Sequence, residues 1–277
     1  MIWRRWVKPA APPAGIEIIV PVCNAAGWIG VILNAYDALG VRPLFILDER
    51  SADDTGRILV GRGARLMTAR GTHPRVESLL FSAIPNLRAP WILRFDDDEL
   101  PSRALLDWVF ARCANLPSSV AGFPRQWVWR LPSGALAGSF CAAASKAAGG
   151  SALDDRQHRL FRPDAVTLIE DLHTPGFSLN ESVDAPASAV IYHFDWLVRD
   201  HAARLKKVAN YETQSPGNGT RYAAYYLPED HDQAAYNFMP LADQTVTKIC
   251  ARLTPGVADF ARFTPSTTRS AASSPAA

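Results

Sequence analysis

Trp91-Ile92-Leu93-Arg94-Phe95-Asp96-Asp97-Asp98-Glu99 is the stretch that decides how this 277-residue chain is read. An apolar run of strand length enters directly on four consecutive acids. On an extended backbone successive side chains alternate faces. Asp96 and Asp98 are therefore expected on one side, with Asp97 and Glu99 on the other. Two hard oxygen ligands on one side suit Mg²⁺ or Mn²⁺, which complete their shell with water and phosphate oxygens. The same acids also suit a solvated turn ahead of a helix, whose N-terminus favours negative charge. The cluster by itself leaves both readings open.

Working upstream, Ile16 to Val22 is a β-branched run that predicts a buried strand. Trp28 to Leu39 repeats apolar residues at helical spacing, and Gly40 stops it. Pro43 to Leu47 reads as a second strand, Asp48 to Thr55 as a polar loop, and Asp54 or Thr55 as the start of a helix reaching about Gly61. Arg65 to Thr68 is a third strand. Val76 to Leu87 is helical until Pro85 bends or ends it. Downstream of the acids, Pro101 suits the first turn of a helix to about Asn115. Strands alternating with helices imply a mostly parallel α/β sheet covered on both faces. Ligands of such sheets bind beyond the carboxyl ends of the strands, which is where Asp48 and Asp96 fall.

After Asn115 the rhythm changes. Ser119 to Leu131 is extended and aromatic, and Ser133 to Ser151 is a loop rich in Ala, Gly and Ser. Arg156 to Arg162 and Val190 to Phe194 read as further strand pieces, and Trp196 to Tyr211 as a basic helix. The expected organisation is a tail at 1–14, a catalytic domain at 15–195 with halves at 15–115 and 116–195, a C-terminal helical extension at 196–263 and a disordered tail at 264–277.

A net charge of +2 provides no general field for nucleic acid, so any anion site is local. Cys23, Cys113, Cys141 and Cys250 lack the short spacings of a zinc site or a disulfide framework and read as free thiols in a reducing cytoplasm. No run reaches the roughly 18 apolar residues that a membrane span needs. Trp3, Arg4, Arg5, Trp6 and Lys8 read either as a loose polar tail or as a peripheral contact with the inner face of a membrane.

Ile18-Ile19-Val20-Pro21-Val22-Cys23-Asn24, followed by Ile46-Leu47-Asp48-Glu49-Arg50-Ser51-Ala52-Asp53-Asp54-Thr55 and then by the acidic cluster, resembles the GT-A glycosyltransferases, especially family 2. The order and spacing match across about Gly15 to Trp108. The resemblance implies a GT-A, Rossmann-like fold and a nucleoside-diphosphate sugar donor, UDP- or GDP-linked. It implies that Pro21, Val22 and Asn24 shape the loop beside the nucleobase, that Asp48 contacts base or ribose, and that Asp97 lies near the ribose. Asp96 and Asp98 match the metal pair, and His193, in Tyr192-His193-Phe194-Asp195, the third ligand to Mn²⁺ or Mg²⁺. Two departures stand out. Glu49-Arg50 replaces the usual acid or amide followed by Gly. Arg75-Val76-Glu77-Ser78 replaces an Ala-Arg-Asn segment, with Arg75 keeping its basic character.

His158-Arg159-Leu160-Phe161-Arg162, followed by Glu170-Asp171-Leu172-His173, resembles a stretch of bacterial family 2 enzymes that build lipopolysaccharide cores and related glycans. It makes Arg159, Arg162 and His173 candidates for acceptor or phosphate contacts. Glu170 and Asp171 are candidates for the base of an inverting transfer to a glycan, lipid-linked or other hydroxyl acceptor. For Trp127, Trp129 and Trp196, core packing competes with stacking on sugar rings. Two other functions compete with a transferase. One is a glycan-binding scaffold on a degenerate fold. The other is a sugar nucleotidyltransferase, for which Val22 to Gly27 lacks the expected Gly-rich phosphate loop.

Overall fold

The computed structural model describes residues 15–131, 133–140, 156–171, 174–231, 236, 238–241, 243–250 and 252–253. Both expected tails, His173 and most of the Ala/Gly/Ser-rich loop lie outside these residues.

Four strands run parallel in the order β3 (Arg65–Ala69), β2 (Leu44–Asp48), β1 (Ile16–Val22) and β4 (Trp91–Arg94). β8 (Arg156–Phe161) continues the sheet antiparallel to β4, and β6 (Val120–Arg130) pairs antiparallel with β8. The result is the α/β, Rossmann-like class expected, mostly parallel from β1 to β4, with helices on both faces. The alternation along β1 shows why. Ile18, Val20 and Val22 enter one core with Tyr36, Phe45 and Leu105, while Ile19 enters another with Ile46, Leu79 and Ile92. A strand buried on both faces has no polar side, so it reads as a continuous apolar run.

The helices end where local chemistry dictates. α1 (Ile29–Leu39) stops at Gly40, which adopts φ 74° and turns its N–H back to Tyr36 and Asp37. α2 is Thr55–Gly61. α3 (Val76–Ala83) gives way to a single 3₁₀ turn at Ile84–Asn86 because Pro85 has no N–H to continue it.

Pro101 does not open a helix. It ends the short strand β5 (Glu99–Pro101), and Ser102 caps α4 (Arg103–Arg112) by accepting from the Leu105 N–H at 3.1 Å. The segment after Ser133 is partly regular, since β7 (Leu136–Ser139) pairs with β6.

β9 (Val183–Asp184) pairs parallel with the early part of β6. β10 (Ile191–His193) lies between β6, parallel, and β5, antiparallel. β11 (Met239–Pro240) extends the edge at β7. The expected basic helix is two helices, α5 (Asp195–Val198) and α6 (His201–Gln214). The break falls where Asp200 caps α6 through the Ala203 N–H. α7 (Asn218–Tyr226) and α8 (Gln244–Cys250) follow among the described residues.

Trp127, Trp129 and Trp196 are buried in a cluster with Tyr226, Leu227 and Tyr236. They are core residues, as most large aromatics are. No helix among the described residues is long and apolar enough to cross a membrane.

Candidate donor and metal site

A cavity of about 640 Å³ opens beyond the carboxyl ends of β1, β2 and β4. Its floor is made by two loops sewn together. Asn24, at φ 52°, donates its N–H to Ser51 Oγ and accepts from the Ala52 N–H at 2.8 Å. The Ala25 N–H reaches Thr55 Oγ1 at 2.7 Å, and the Ala26 N–H reaches Asp53 Oδ2 at 2.9 Å. The motif spacing is therefore a matter of architecture: Asn24, Ser51, Asp53 and Thr55 satisfy loop backbone that no ladder covers. Pro21, Val22, Cys23, Asn24 and Asp48 line the cavity.

Asp48 is not a free carboxylate. Arg50 forks onto it, Nε to Oδ1 at 2.9 Å and Nη2 to Oδ2 at 2.7 Å. Burial alone would raise the Asp48 carboxyl, but these bonds outweigh it and hold it below the usual range.

The acidic cluster divides differently from the simple alternation. β4 ends at Arg94, and the backbone then turns, with the Glu99 N–H returning to the Asp96 carbonyl at 3.0 Å. Asp96 and Glu99 consequently face the same partner. Arg159 Nη2 donates to Asp96 Oδ2 and to Glu99 Oε1, each at 2.7 Å. Arg94 Nη2 holds the other oxygen of Asp96 at 2.7 Å. Burial acts to raise Asp96, yet Arg159 and then Arg94 hold it well below the normal carboxylate range.

Asp98 turns the other way, towards β10. The Phe194 N–H donates to the Asp98 carbonyl at 2.8 Å, which brings His193 Nε2 within 3.3 Å of Asp98 Oδ1. Asp98, His193 and Asp195 offer ligand atoms within 4.8 Å of one another. Two buried atoms there have no hydrogen-bond partner among the described residues, His193 Nδ1 and Asp195 Oδ2. Two carboxylates and an imidazole suit a divalent ion such as Mn²⁺, and orphaned polar atoms are what a missing ligand leaves. The residues present thus fit the expected metal. The set differs from the expected one, with Asp195 in the place given to Asp96.

Two cations already serve this cluster. Arg199 Nη1 donates to Asp98 Oδ2 and to Asp195 Oδ1, and Lys207 Nζ donates to Asp195 Oδ1 at 2.7 Å. The Arg199 guanidinium lies 4.7 Å above the Trp28 ring, whose Nε1 donates to the Asp97 carbonyl. Asp97 has the weakest compensation. Burial, and then the charge of Asp98, push its carboxyl up to about 8.

Arg75 lines the cavity, and its buried Nε has no partner among the described residues. Arg159 is the buried clamp of Asp96 and Glu99. Arg162 is exposed, pairs with Asp164 at 2.9 Å and does not line the cavity. Neither Glu170 nor Asp171 lines it. Glu170 accepts a hydrogen bond from Thr72, and Asp171 accepts through its carbonyl from Thr174 Oγ1 at 2.7 Å. Thr174 and Pro175, which follow Asp171 in the chain, do line the cavity.

Sequence reading gave no role to Asp195, Arg94 or Glu77, and placed Lys207 only within a basic helix and Arg199 only near its start. Asp195 had a signal, because it follows His193 by two residues. The others had none, because their roles depend on contacts across the fold.

No family model matches the chain, and no curated protein matches it. Among solved structures, S. aureus TarS 1–349 in complex with UDP-GlcNAc is 13% identical, with TM-score 0.43, over 74% of this chain and 69% of that one. Glucosyl-3-phosphoglycerate synthase from Mycobacterium tuberculosis, in complex with Mn²⁺, UDP and phosphoglyceric acid, is 15% identical with TM-score 0.34. The match covers 42% of this chain and 44% of the synthase, less than half the length of either. CMP:2-keto-3-deoxy-manno-octonic acid synthetase in complex with CTP is 13% identical with TM-score 0.32, over 43% and 56% of the two chains.

Proposed function

We propose that this chain is a glycosyltransferase that moves a sugar from a nucleoside diphosphate to a hydroxyl acceptor, in the manner of family 2 GT-A enzymes. The observation that carries this reading is the Asp98–His193–Asp195 cluster, with Arg199 and Lys207 beside it, in a cavity at the carboxyl ends of parallel strands. A site that concentrates hard acceptors and cations suits a metal-bridged diphosphate.

A divalent ion held by Asp98, His193 and Asp195 would supply Lewis-acid stabilisation to the leaving diphosphate. Arg199 and Lys207 supply fixed positive charge to the same group. Pro21, Val22 and Asn24 shape the nucleoside end, with Asp48 and Arg50 as its polar wall, and Arg75 also lines the cavity. Asp97 lines the cavity and, in this reading, lies near the ribose. Arg94 and Arg159 fix Asp96 and so the turn that carries Asp98.

Direct displacement with inversion needs a carboxylate to take the acceptor proton. In this proposal Asp171, three residues before the cavity-lining Thr174, takes that role, with Glu170 the alternative. A cell-surface glycan or lipid-linked acceptor made at the cytoplasmic face suits the Arg and Trp residues of the N-terminal tail.

Thermal-shift and calorimetric titration with nucleoside diphosphates, with and without Mn²⁺, tests this proposal. Mn²⁺-dependent binding, lost in Asp98→Asn, is the expected outcome. Full binding and full transfer in Asp98→Asn would rule the site out. The bound cavity of a scaffold protein would show no turnover with any donor.

A further inference from the structure

Arg50 changes what the nucleoside end of the cavity can recognise. Asp48 closes β2 and lines the cavity together with Arg50 and the Pro21–Asn24 loop. A lone carboxylate there would accept hydrogen bonds from a base. Here both its oxygens are taken, Oδ1 by the Arg50 Nε and backbone N–H at 2.9 Å each, Oδ2 by Nη2 at 2.7 Å.

A guanidinium carries five N–H groups. The side-on fork to Asp48 uses the one on Nε and one of the two on Nη2. The end-on fork, formed by Nη1 and the second hydrogen of Nη2, meets no acceptor among the described residues. The Arg50 side chain keeps 22% of its surface exposed and lines the cavity. Two parallel bonds to a carboxylate fix the plane of the guanidinium. The wall therefore presents a pre-oriented pair of donors.

The position suits a base. The candidate metal ligands follow β4 and β10, whereas Asp48 ends β2, and β1 lies between β4 and β2. Two strand spacings are roughly 10 Å. A diphosphate at the cations thus directs its nucleoside towards Pro21, Val22 and Arg50.

We infer that Arg50 selects the donor's base through this end-on fork, and that the base is one with two adjacent acceptors. Guanine offers N7 and O6, and cytosine offers N3 and O2. Uracil sets an N–H donor between its two carbonyls, and adenine sets its amino group beside each candidate ring nitrogen. Neither matches a double donor. The inference rests on the transferase proposal and sharpens it by naming the donor class.

The test is calorimetric titration of the full chain with GDP, CDP, UDP and ADP in Mn²⁺, for wild type, R50Q and R50K. GDP or CDP is expected to bind about tenfold or more tightly than UDP and ADP, as a bidentate contact provides. Whichever of the two is tighter names the base. R50Q is expected to bring the four affinities together. R50K keeps the charge without the fork, so GDP and CDP should fall to the level of UDP and ADP and the preference should be lost. UDP binding as tightly as GDP and CDP would overturn the inference. So would an equal loss for all four nucleotides in R50Q, which would make Arg50 a phosphate contact. Failure of all four to bind wild type would sink the donor site itself, a result distinct from binding without preference.

Discussion

Arg199 Nη1 lies 2.6 Å from Asp195 Oδ1, inside a cluster where three carboxylates meet one guanidinium. Burial acts to raise Asp98 and Asp195. Neighbouring groups outweigh it: the contact with His193 and then the charge of Arg199 for Asp98, the charges of Lys207 and Arg199 for Asp195. The cluster is therefore held together by charge brought from the C-terminal helices.

Arg199→Met removes that charge and leaves Asp97, Asp98 and Asp195 facing one another. Breaking a buried pair on one side typically costs about 3–5 kcal/mol. A divalent ion can replace the lost charge. The melting temperature of the variant is expected to fall, and Mn²⁺ is expected to restore more of it than it adds to wild type. An equal Mn²⁺ shift in both proteins would show that Arg199 and the metal ligands are not coupled.

Arg159→Met tests whether this arginine is a scaffold or a substrate contact. Its side chain is only 4% exposed and its Nη2 serves both Asp96 and Glu99. The variant is expected to lose about 3 kcal/mol of stability in urea unfolding, because the buried Glu99 loses its closest cation and Asp96 is left with Arg94 alone. A stable variant with weakened nucleotide binding would instead make Arg159 a direct ligand contact.

The parts of the fold set by local rules were legible in the sequence. β1, β2 and β4 announce themselves as apolar runs, and Gly40 and Pro85 stop helices where the backbone requires it. The site was legible only in part. Asp98 and His193 could be nominated one by one, but nothing in a strand pattern shows that the chain turns after Phe95 and sends Asp96 to Arg159. That turn is a product of β5 pairing with β10, which is nearly a hundred residues away. The same holds for Arg199 and Lys207. A basic helix face looks the same in sequence whether it meets water or a buried acid. Arg50 is the instructive opposite case. Its departure from the family pattern was visible, and its meaning required the fork onto Asp48.

Glu77→Gln tests an acid that the cavity wall holds at a cost. Glu77 is buried on α3, and burial raises its carboxyl despite the opposing charge of Arg94. A folded state that binds the proton more tightly than the unfolded chain is most stable, for this group, below the ordinary glutamate value of 4.5. The stability is lost as pH rises through the folded value. Gln carries no such cost. The variant's melting temperature relative to wild type is expected to be higher at pH 8 than at pH 4. A gap that does not widen with pH would mean that Glu77 is not strained.

Cys23 supplies a probe that needs no substitution. The thiol is exposed at the cavity between Val22 and Asn24, yet partial burial, and then the charges of Asp48 and Asp97, push it up to about 11. Only the thiolate reacts with alkylating agents. At pH 8 roughly one Cys23 in a thousand is ionised, so alkylation is expected to be slow and to quicken about tenfold per pH unit towards 11. Asp48→Asn removes one of the charges that oppose ionisation, so it should speed the reaction at any given pH below that value. A nucleoside diphosphate seated against Pro21 and Val22 covers the sulfur. Mass-spectrometric labelling at pH 9 should therefore show Cys23 protected by nucleotide with Mn²⁺. Labelling of Cys23 that ignores saturating nucleotide would place the nucleoside elsewhere than the Pro21–Asn24 loop.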